Sequence, residues 1–387
     1  MRAFSLQAMA AGLLAGFVGF ASSFTVVLAG FVAMGASPAQ QASGLMAVSI
    51  AMGLAGVVLS LWRRLPISVA WSTPGAALLA STAMPAGGFP DAVGAFLLCG
   101  TLLVLAGLWR PLGRAVAAIP PALAAALLAG VLLGLCLAPV RAVAELPAHG
   151  LAVVAAWLVM GRVNRLLAVP AAVVVALVLV LATQDIPAGL GAALVPAPVW
   201  VWPAFSPLAL LGVGLPLFLV TMASQNIPGM AVLAANGYRP AAGPLFSVTG
   251  AFSLLAAPFG GHAVNLAAIT AALCAGPEAQ PDPSRRWPAA VVAGGVYVAF
   301  GLLAGGAVAL VGVAPPLLVQ AVAGLALLPA FGGALHSALA APEERESAVV
   351  CFLVTAAGLS LLGVSGAFWG LCAGWGLRAL GRWRRMA

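Results

Sequence analysis

A chain of 387 residues that is 64% hydrophobic and only 6% charged has too few polar side chains to cover a water-soluble fold. Its sixteen basic residues are all arginine and face eight acidic ones, a formal net charge of +8. In so apolar a chain that surplus marks the cytoplasmic loops of a membrane protein, not a nucleic-acid surface. The five cysteines lie in apolar stretches without metal-ligand spacing. H-E-x-x-H and the P-loop pattern are both missing, so neither a metal nor a cofactor is expected.

Apolar runs of spanning length predict an all-α polytopic membrane protein with fourteen crossings. Arg2 precedes the first, at 8–33, which is expected to stay in place as a span. The next six fall at 38–61, 67–83, 91–109, 119–140, 147–163 and 167–184. A Pro- and Trp-rich connection over 185–206 leads to 207–235, 240–257, 258–276, 287–311, 314–338, 345–362 and 365–381. With the N-terminus inside, every arginine except Arg141 falls on the cytoplasmic side, and both termini are cytoplasmic. Trp62, Trp109, Trp287 and Trp383 lie beside those arginines as interface anchors; Trp200 and Trp202 suit the outer face.

The halves repeat. Ala21-Ser22-Ser23, Gly35 and Pro38 recur as Ala223-Ser224-Gln225, Gly237 and Pro240 at one offset of 202 (223 − 21 = 237 − 35 = 240 − 38). Pro120-Pro121 and Pro315-Pro316 open later apolar helices at an offset of 195 (315 − 120). A repeat of seven spans must be inverted in its second copy, a transporter signature.

Segments three and ten are too broken for plain helices. Ala70-Trp71-Ser72-Thr73-Pro74-Gly75 predicts an extended stretch and then a half-helix from Thr73, because Pro74 suits a first helical turn. Pro258-Phe259-Gly260-Gly261-His262 breaks the other, with a half-helix expected near Asn265. Irregular backbone at membrane depth needs protein or a wet cavity around it, and helix N-termini favour anions. Ser22, Ser23, Ser72, Thr73, Gly75, Gln225, Asn226, Asn265 and Leu266 are therefore the expected substrate-binding residues. Glu278 and His262 are the candidates for proton coupling.

These stretches closely resemble the BenE family of benzoate/proton symporters. The matching residues are Ala70–Leu78, Gly214–Asn226, Asn265–Ala272, Gly276-Pro277-Glu278-Ala279 and Gly358–Gly363, and the resemblance covers nearly the whole chain. It implies proton-coupled import of benzoate or a similar aromatic carboxylate across a bacterial inner membrane. The family is also similar, distantly, to nucleobase–ascorbate transporters and sulfate permeases, which have fourteen segments in two inverted repeats. That likeness implies a core domain of 1–118 plus 207–311 and a gate domain of 119–206 plus 312–387. Where nucleobase members carry carboxylates, this chain offers Gln225, Asn226 and Asn265, which would not repel an anion. The expected partners are the carboxylate, protons and lipid; a homodimer is one assembly this permits.

The alternatives keep the fold but carry another small organic or inorganic anion, by transport or as a channel. An intramembrane enzyme is the remote one. Gly363-Val364-Ser365-Gly366 matches the short motif of intramembrane serine proteases, but no histidine follows His336 to serve as base. Fourteen crossings require cysteines placed near Gly88 and near Arg285, in a cysteine-free background, to be labelled by impermeant reagents from opposite sides. Labelling of both from one side contradicts the inverted repeat.

Overall fold

A computed structural model describes residues 4–184, 194–361 and 364–386. It is an all-α architecture apart from two minute two-stranded ladders. Eight helices among the described residues are long and apolar enough to cross a membrane: Leu6–Ala33, Pro38–Arg63, Phe89–Leu108, Pro121–Glu145, Arg165–Thr183, Pro207–Ala235, Ala242–Phe259 and Pro316–Leu339. The pair Pro283–Leu302 and Ala304–Val313, bent by 55°, makes a ninth if taken as one span. Pro147–Val163 is shorter, and Arg345–Ala356 and Gly366–Met386 complete the helical set near the C-terminus.

Local chemistry sets the ends. Ser37 caps Pro38–Arg63 through a reciprocal box: its Oγ accepts from Gln40 N (3.3 Å), and Gln40 Oε1 accepts from Ser37 N (2.8 Å). Pro38, Pro121, Pro147 and Pro316 each open a helix, where a missing N–H costs nothing. Arg63 lies 4.0 Å over the Trp62 ring and Arg64 4.8 Å over Trp287, an interfacial belt at one end of the bundle.

Three spans read as continuous in the sequence are interrupted, 287–311 by the 55° bend between Leu302 and Ala304 and two others by local breaks. The first divides into Leu6–Ala21 and Phe24–Ala33 at Ser22-Ser23, where Ser23 leaves helical geometry (φ −147°, ψ 0°). Pro207–Ala235 widens into π turns at Leu210–Gly214 and Met222–Asn226. Each π turn stands directly before the turn that holds Pro216 or Pro228. A proline cannot bond the carbonyl four residues back and its ring collides with it, and the wider turn relieves both problems.

The two broken segments meet each other. Strand β1 (Val69–Trp71) pairs antiparallel with β2 (Val264–Leu266), in register Val69↔Leu266, Ala70↔Asn265 and Trp71↔Val264. Ser72 N to Ala263 O (2.9 Å) and Ala267 N to Ser68 O (3.0 Å) extend the ladder. Helix Thr73–Ser81 follows β1 where the sequence puts it. The second half-helix starts at Ile269, not near Asn265, because the backbone of Asn265 is committed to Ala70. Gly260 turns the chain into this segment at φ +88°, a conformation that favours glycine.

Helices pack in a crossed manner. Pro38–Arg63 lies along Trp287–Leu302, and Phe89–Leu108 lies along Ala242–Ala256. Pro121–Cys136 packs on Pro316–Leu339 and Arg345–Ala356. Within the connection, Val199 N, Val201 N and Ala204 N donate to Ser43 Oγ, Pro258 O and Pro90 O at 2.8, 2.7 and 3.0 Å. The connection is thus tied to the helices around the ladder. Gly53 and Gly294 bring their two backbones together: a Cβ on either would stand 2.5 Å from the other's carbonyl oxygen. Small residues give membrane helices this closeness. Gly53→Leu should therefore cost about 1–3 kcal/mol by overpacking. Gly295→Ala, with nothing within 4 Å of its Cβ, should be neutral or slightly stabilising. Thermal unfolding in detergent measures both; equal melting of the two variants would refute the close crossing.

Candidate functional site

The ladder, the break at Ser22-Ser23 and the π turn Met222–Asn226 converge on one cavity of about 90 Å³. Its wall includes Ser22, Ser23, Trp71, Thr73, Gln225 and Ala268; Ala326 and Leu327 of Pro316–Leu339 close it from across. Ser23 is buried: its Oγ donates to Gly19 O (3.2 Å) and accepts from Trp71 Nε1 (2.8 Å). Ser22 Oγ reaches Gly19 O at 3.4 Å. Thr73, half-buried, is the first residue of its half-helix. Gln225 is half-buried and its side-chain amide has no hydrogen-bond partner among the described residues, so its donors are free for a ligand. Among the described residues no lining side chain is charged.

The other expected residues stand behind this wall. Ser72 Oγ caps the half-helix by accepting from Gly75 N (3.1 Å) and also accepts from Thr221 Oγ1 (2.9 Å). Gly75 makes room for neighbours: a Cβ there would lie 2.6 Å from both Leu217 Cδ1 and Ser72 Oγ. Asn226 Oδ1 accepts from Leu266 N (2.9 Å), and its Nδ2 faces Met222 Sδ at 3.2 Å, so it clamps β2 to the π turn. Asn265 is fully buried at the centre of β2, and both of its amide atoms lack a partner among the described residues.

The two proton-coupling candidates are also off the wall. His262 is fully buried, with Nε2 3.1 Å from Ser72 O and Nδ1 unpartnered among the described residues. Its ring meets the edges of Phe31 and Phe96 at 5.7 and 6.5 Å. Glu278 is exposed in the turn after the second half-helix, where its backbone oxygen accepts from Gln7 Nε2 (2.9 Å).

Sequence reasoning missed three lining residues whose side chains carry a polar group. Trp71 sits inside a motif that the sequence singled out, yet its indole N–H bond to Ser23 needs the fold to appear. Thr270 bonds Ser68 across the ladder (Oγ1–Oγ 3.0 Å). Tyr297 is one of only two tyrosines in the chain, a signal the sequence did carry.

A neutral, hydroxyl- and amide-lined cavity buried among apolar spans defines a membrane transporter for a small solute. The comparisons agree. The family model BenE, benzoate membrane transport protein, matches residues 2–380, and the chain belongs to that family, as a transporter and not an enzyme. It is 42% identical over 379 residues to inner membrane protein YdcO of Escherichia coli (strain K12), across 97% of this chain and 96% of that protein. It is 32% identical over 373 residues to the benzoate membrane transport protein of Acinetobacter baylyi, across 96% and 94%. In fold it is similar to the transmembrane domain of the cyanobacterium bicarbonate transporter BicA (TM-score 0.59, 15% identity, 96% of this chain and 98% of that one). It is also similar to SLC26A9 (TM-score 0.61, 12% identity, 96% and 65%).

The bond from Trp71 to Ser23 joins β1 to the broken first span. Trp71→Phe and Ser23→Ala should each lower stability, with a coupling of about 0.5–1.5 kcal/mol in a double-mutant cycle. Additive losses in reversible unfolding would mean that the bond carries nothing.

Proposed function

We propose that this protein imports benzoate or a similar aromatic carboxylate together with a proton, with the carboxylate held in the cavity between β1, β2 and the π turn. The carrying observation is the uncharged wall among the described residues: Thr73 and Gln225 offer donors without a competing negative charge, and Ser22 and Ser23, whose hydroxyls turn to Gly19 O, would add theirs by rotating toward the ligand. Asn265, on the face of the ladder it shares with cavity-lining Ala70, is enclosed behind the wall, and its unpartnered amide would become the second donor only on a rearrangement that opens the wall. Ser72, Gly75, Asn226 and Leu266 hold the half-helix and strand in position. A second reading keeps the fold and the site but carries another small anion; the SLC26A9 structure in the inward-facing state, described as that of an anion transporter, favours it.

The proposed frame is two inverted repeats of seven segments, with both termini cytoplasmic. The three residues of β1 have their counterparts 195 positions on, in β2 (264 − 69 = 266 − 71 = 195), at the offset of the paired prolines. Antiparallel pairing of equivalent strands is what an inverted repeat provides. The crossed packing of Pro38–Arg63 on Trp287–Leu302, and of Ala242–Ala256 on Phe89–Leu108, supports the same symmetry. On this frame residues 1–118 and 207–311 form a core that carries the site past a gate of 119–206 and 312–387.

Importing one carboxylate against an inside-negative potential costs about 2.3 kcal/mol per 100 mV, and one accompanying proton cancels that charge. His262 is the proposed coupling group, through its buried, unpartnered Nδ1 and its contact with the capping residue Ser72. Uptake of labelled benzoate into proteoliposomes, with and without an inward proton gradient, tests the whole reading. Gradient-driven accumulation is expected, retained in Glu278→Gln and lost in His262→Gln. Gln225→Ala should weaken binding by about 10- to 150-fold, the loss of one hydrogen bond to a charged group. Gln225→Glu should be worse, since it adds repulsion. Near-normal benzoate affinity of folded Gln225→Glu would put the site elsewhere.

A further inference from the structure

The second half-helix, Ile269–Ala275, supplies part of the cavity wall yet is only seven residues long. Ala268 and Thr270, at its start, line the cavity. The ladder holds that end: Ala267 N donates to Ser68 O (3.0 Å), and Thr270 Oγ1 lies 3.0 Å from Ser68 Oγ. At the other end the last carbonyls of a helix have no partner in a following turn. Arg286 meets them. It is buried to 6% exposure, and its Nη1 donates to the oxygen of Ala275, the last residue of the half-helix (2.8 Å). Its Nε donates to Gln280 O (2.6 Å) and its Nη2 to Pro281 O (3.1 Å), so one planar fork folds the turn 276–281 back over the helix end. The positive charge also suits the negative end of the helix dipole.

That turn reaches the first span. Gln280 Nε2 donates to Ser5 Oγ (3.0 Å), and Gln7 Nε2 donates to Glu278 O (2.9 Å). Arg286 stands directly before Trp287–Leu302, on which the first span packs so closely that a Cβ on Gly12 would run into Ala289 O. The half-helix, the first span and Trp287–Leu302 share a cluster of small buried residues that includes Ala8, Ala15, Cys274, Ala289 and Ala293. Methyl groups make few of the contacts that lock larger side chains in register. The hydrogen bonds around Arg286 therefore decide where the half-helix lies against the first span.

We propose, resting on the transport reading above, that Arg286 is a positioning residue for the substrate. It does not line the cavity. By holding Ala275 and the turn 276–281 it sets the gap between Ala268 and Thr270 on one wall and Ser22 and Ser23 on the other. On the proposed frame Arg286 and all its partners belong to the core. Loosening them weakens binding and leaves the passage of the core past the gate as it was, so KM rises and the maximal rate is kept.

The test is Arg286→Lys, which keeps the charge but cannot present a fork to three carbonyls. In hydrogen exchange of the purified protein in nanodiscs, the amides of 269–276 should exchange about 10-fold faster or more, the effect of losing at least one hydrogen bond to a charged group. Those of Pro38–Arg63 should be unchanged. Benzoate uptake into proteoliposomes should show a raised KM at an unchanged maximal rate. The double variant Gln7→Ala/Gln280→Ala, milder for the fold, cuts the turn from the first span and should raise KM in the same way. Glu278→Gln, which keeps the backbone oxygen used here, should alter neither exchange nor KM. Unchanged exchange over 269–276 in Arg286→Lys, faster exchange throughout the chain, or an unchanged KM in both altered proteins would each overturn the proposal. The exchange measurement needs no substrate, so a failure of positioning shows there, whereas absence of benzoate uptake by the unaltered protein is a failure of the transport reading.

Discussion

Everything around the cavity depends on how two interrupted spans satisfy their backbone. An extended stretch within a bilayer leaves N–H and C=O groups that no water can reach, and each would cost several kcal/mol. Here the two stretches meet that need in each other, through three paired residues and the flanking bonds of Ser72 and Ala267. The ladder fixes where the half-helices begin. It also puts Trp71 within reach of Ser23 and brings Thr73 and Ala268 to one wall. Neither broken segment is viable alone, so the site exists only when both halves of the chain have folded together.

The polar residues near the site divide their labour. Ser72, Thr221 and Asn226 spend their hydrogen bonds on backbone and neighbouring side chains, which holds the ladder and the half-helix in place. Gln225, next to Asn226 in the same π turn, spends none and turns to the cavity. Successive residues of a helix point about 100° apart, so two adjacent amides cannot do the same work. The pair sits in the widened turn before Pro228, and π turns recur at functional sites.

Close approach of backbones complements the ladder. Gly53 and Gly294 let two long helices touch, and Gly107 and Gly243 do the same for the other crossed pair. In a bilayer apolar side chains gain little by leaving lipid, so packing of this kind, with a few hydrogen bonds, supplies the cohesion.

The sequence by itself determined the membrane class, most span positions, the two broken segments and the start of one half-helix at Thr73. Those features rest on composition, run length and proline chemistry, which are local properties. It also pointed to Ser22, Ser23, Thr73 and Gln225, because polar residues are rare in so apolar a chain. Only the tertiary structure decided that Ser72, Gly75, Asn226, Asn265 and Leu266 stand behind the cavity wall, that His262 is enclosed among aromatic rings, and that Glu278 lies exposed in a turn. It likewise moved the second half-helix from Asn265 to Ile269. The reason is one of range: which way a side chain faces within a broken segment follows from strand register, and that register is set by a partner 195 residues away in the chain (265 − 70).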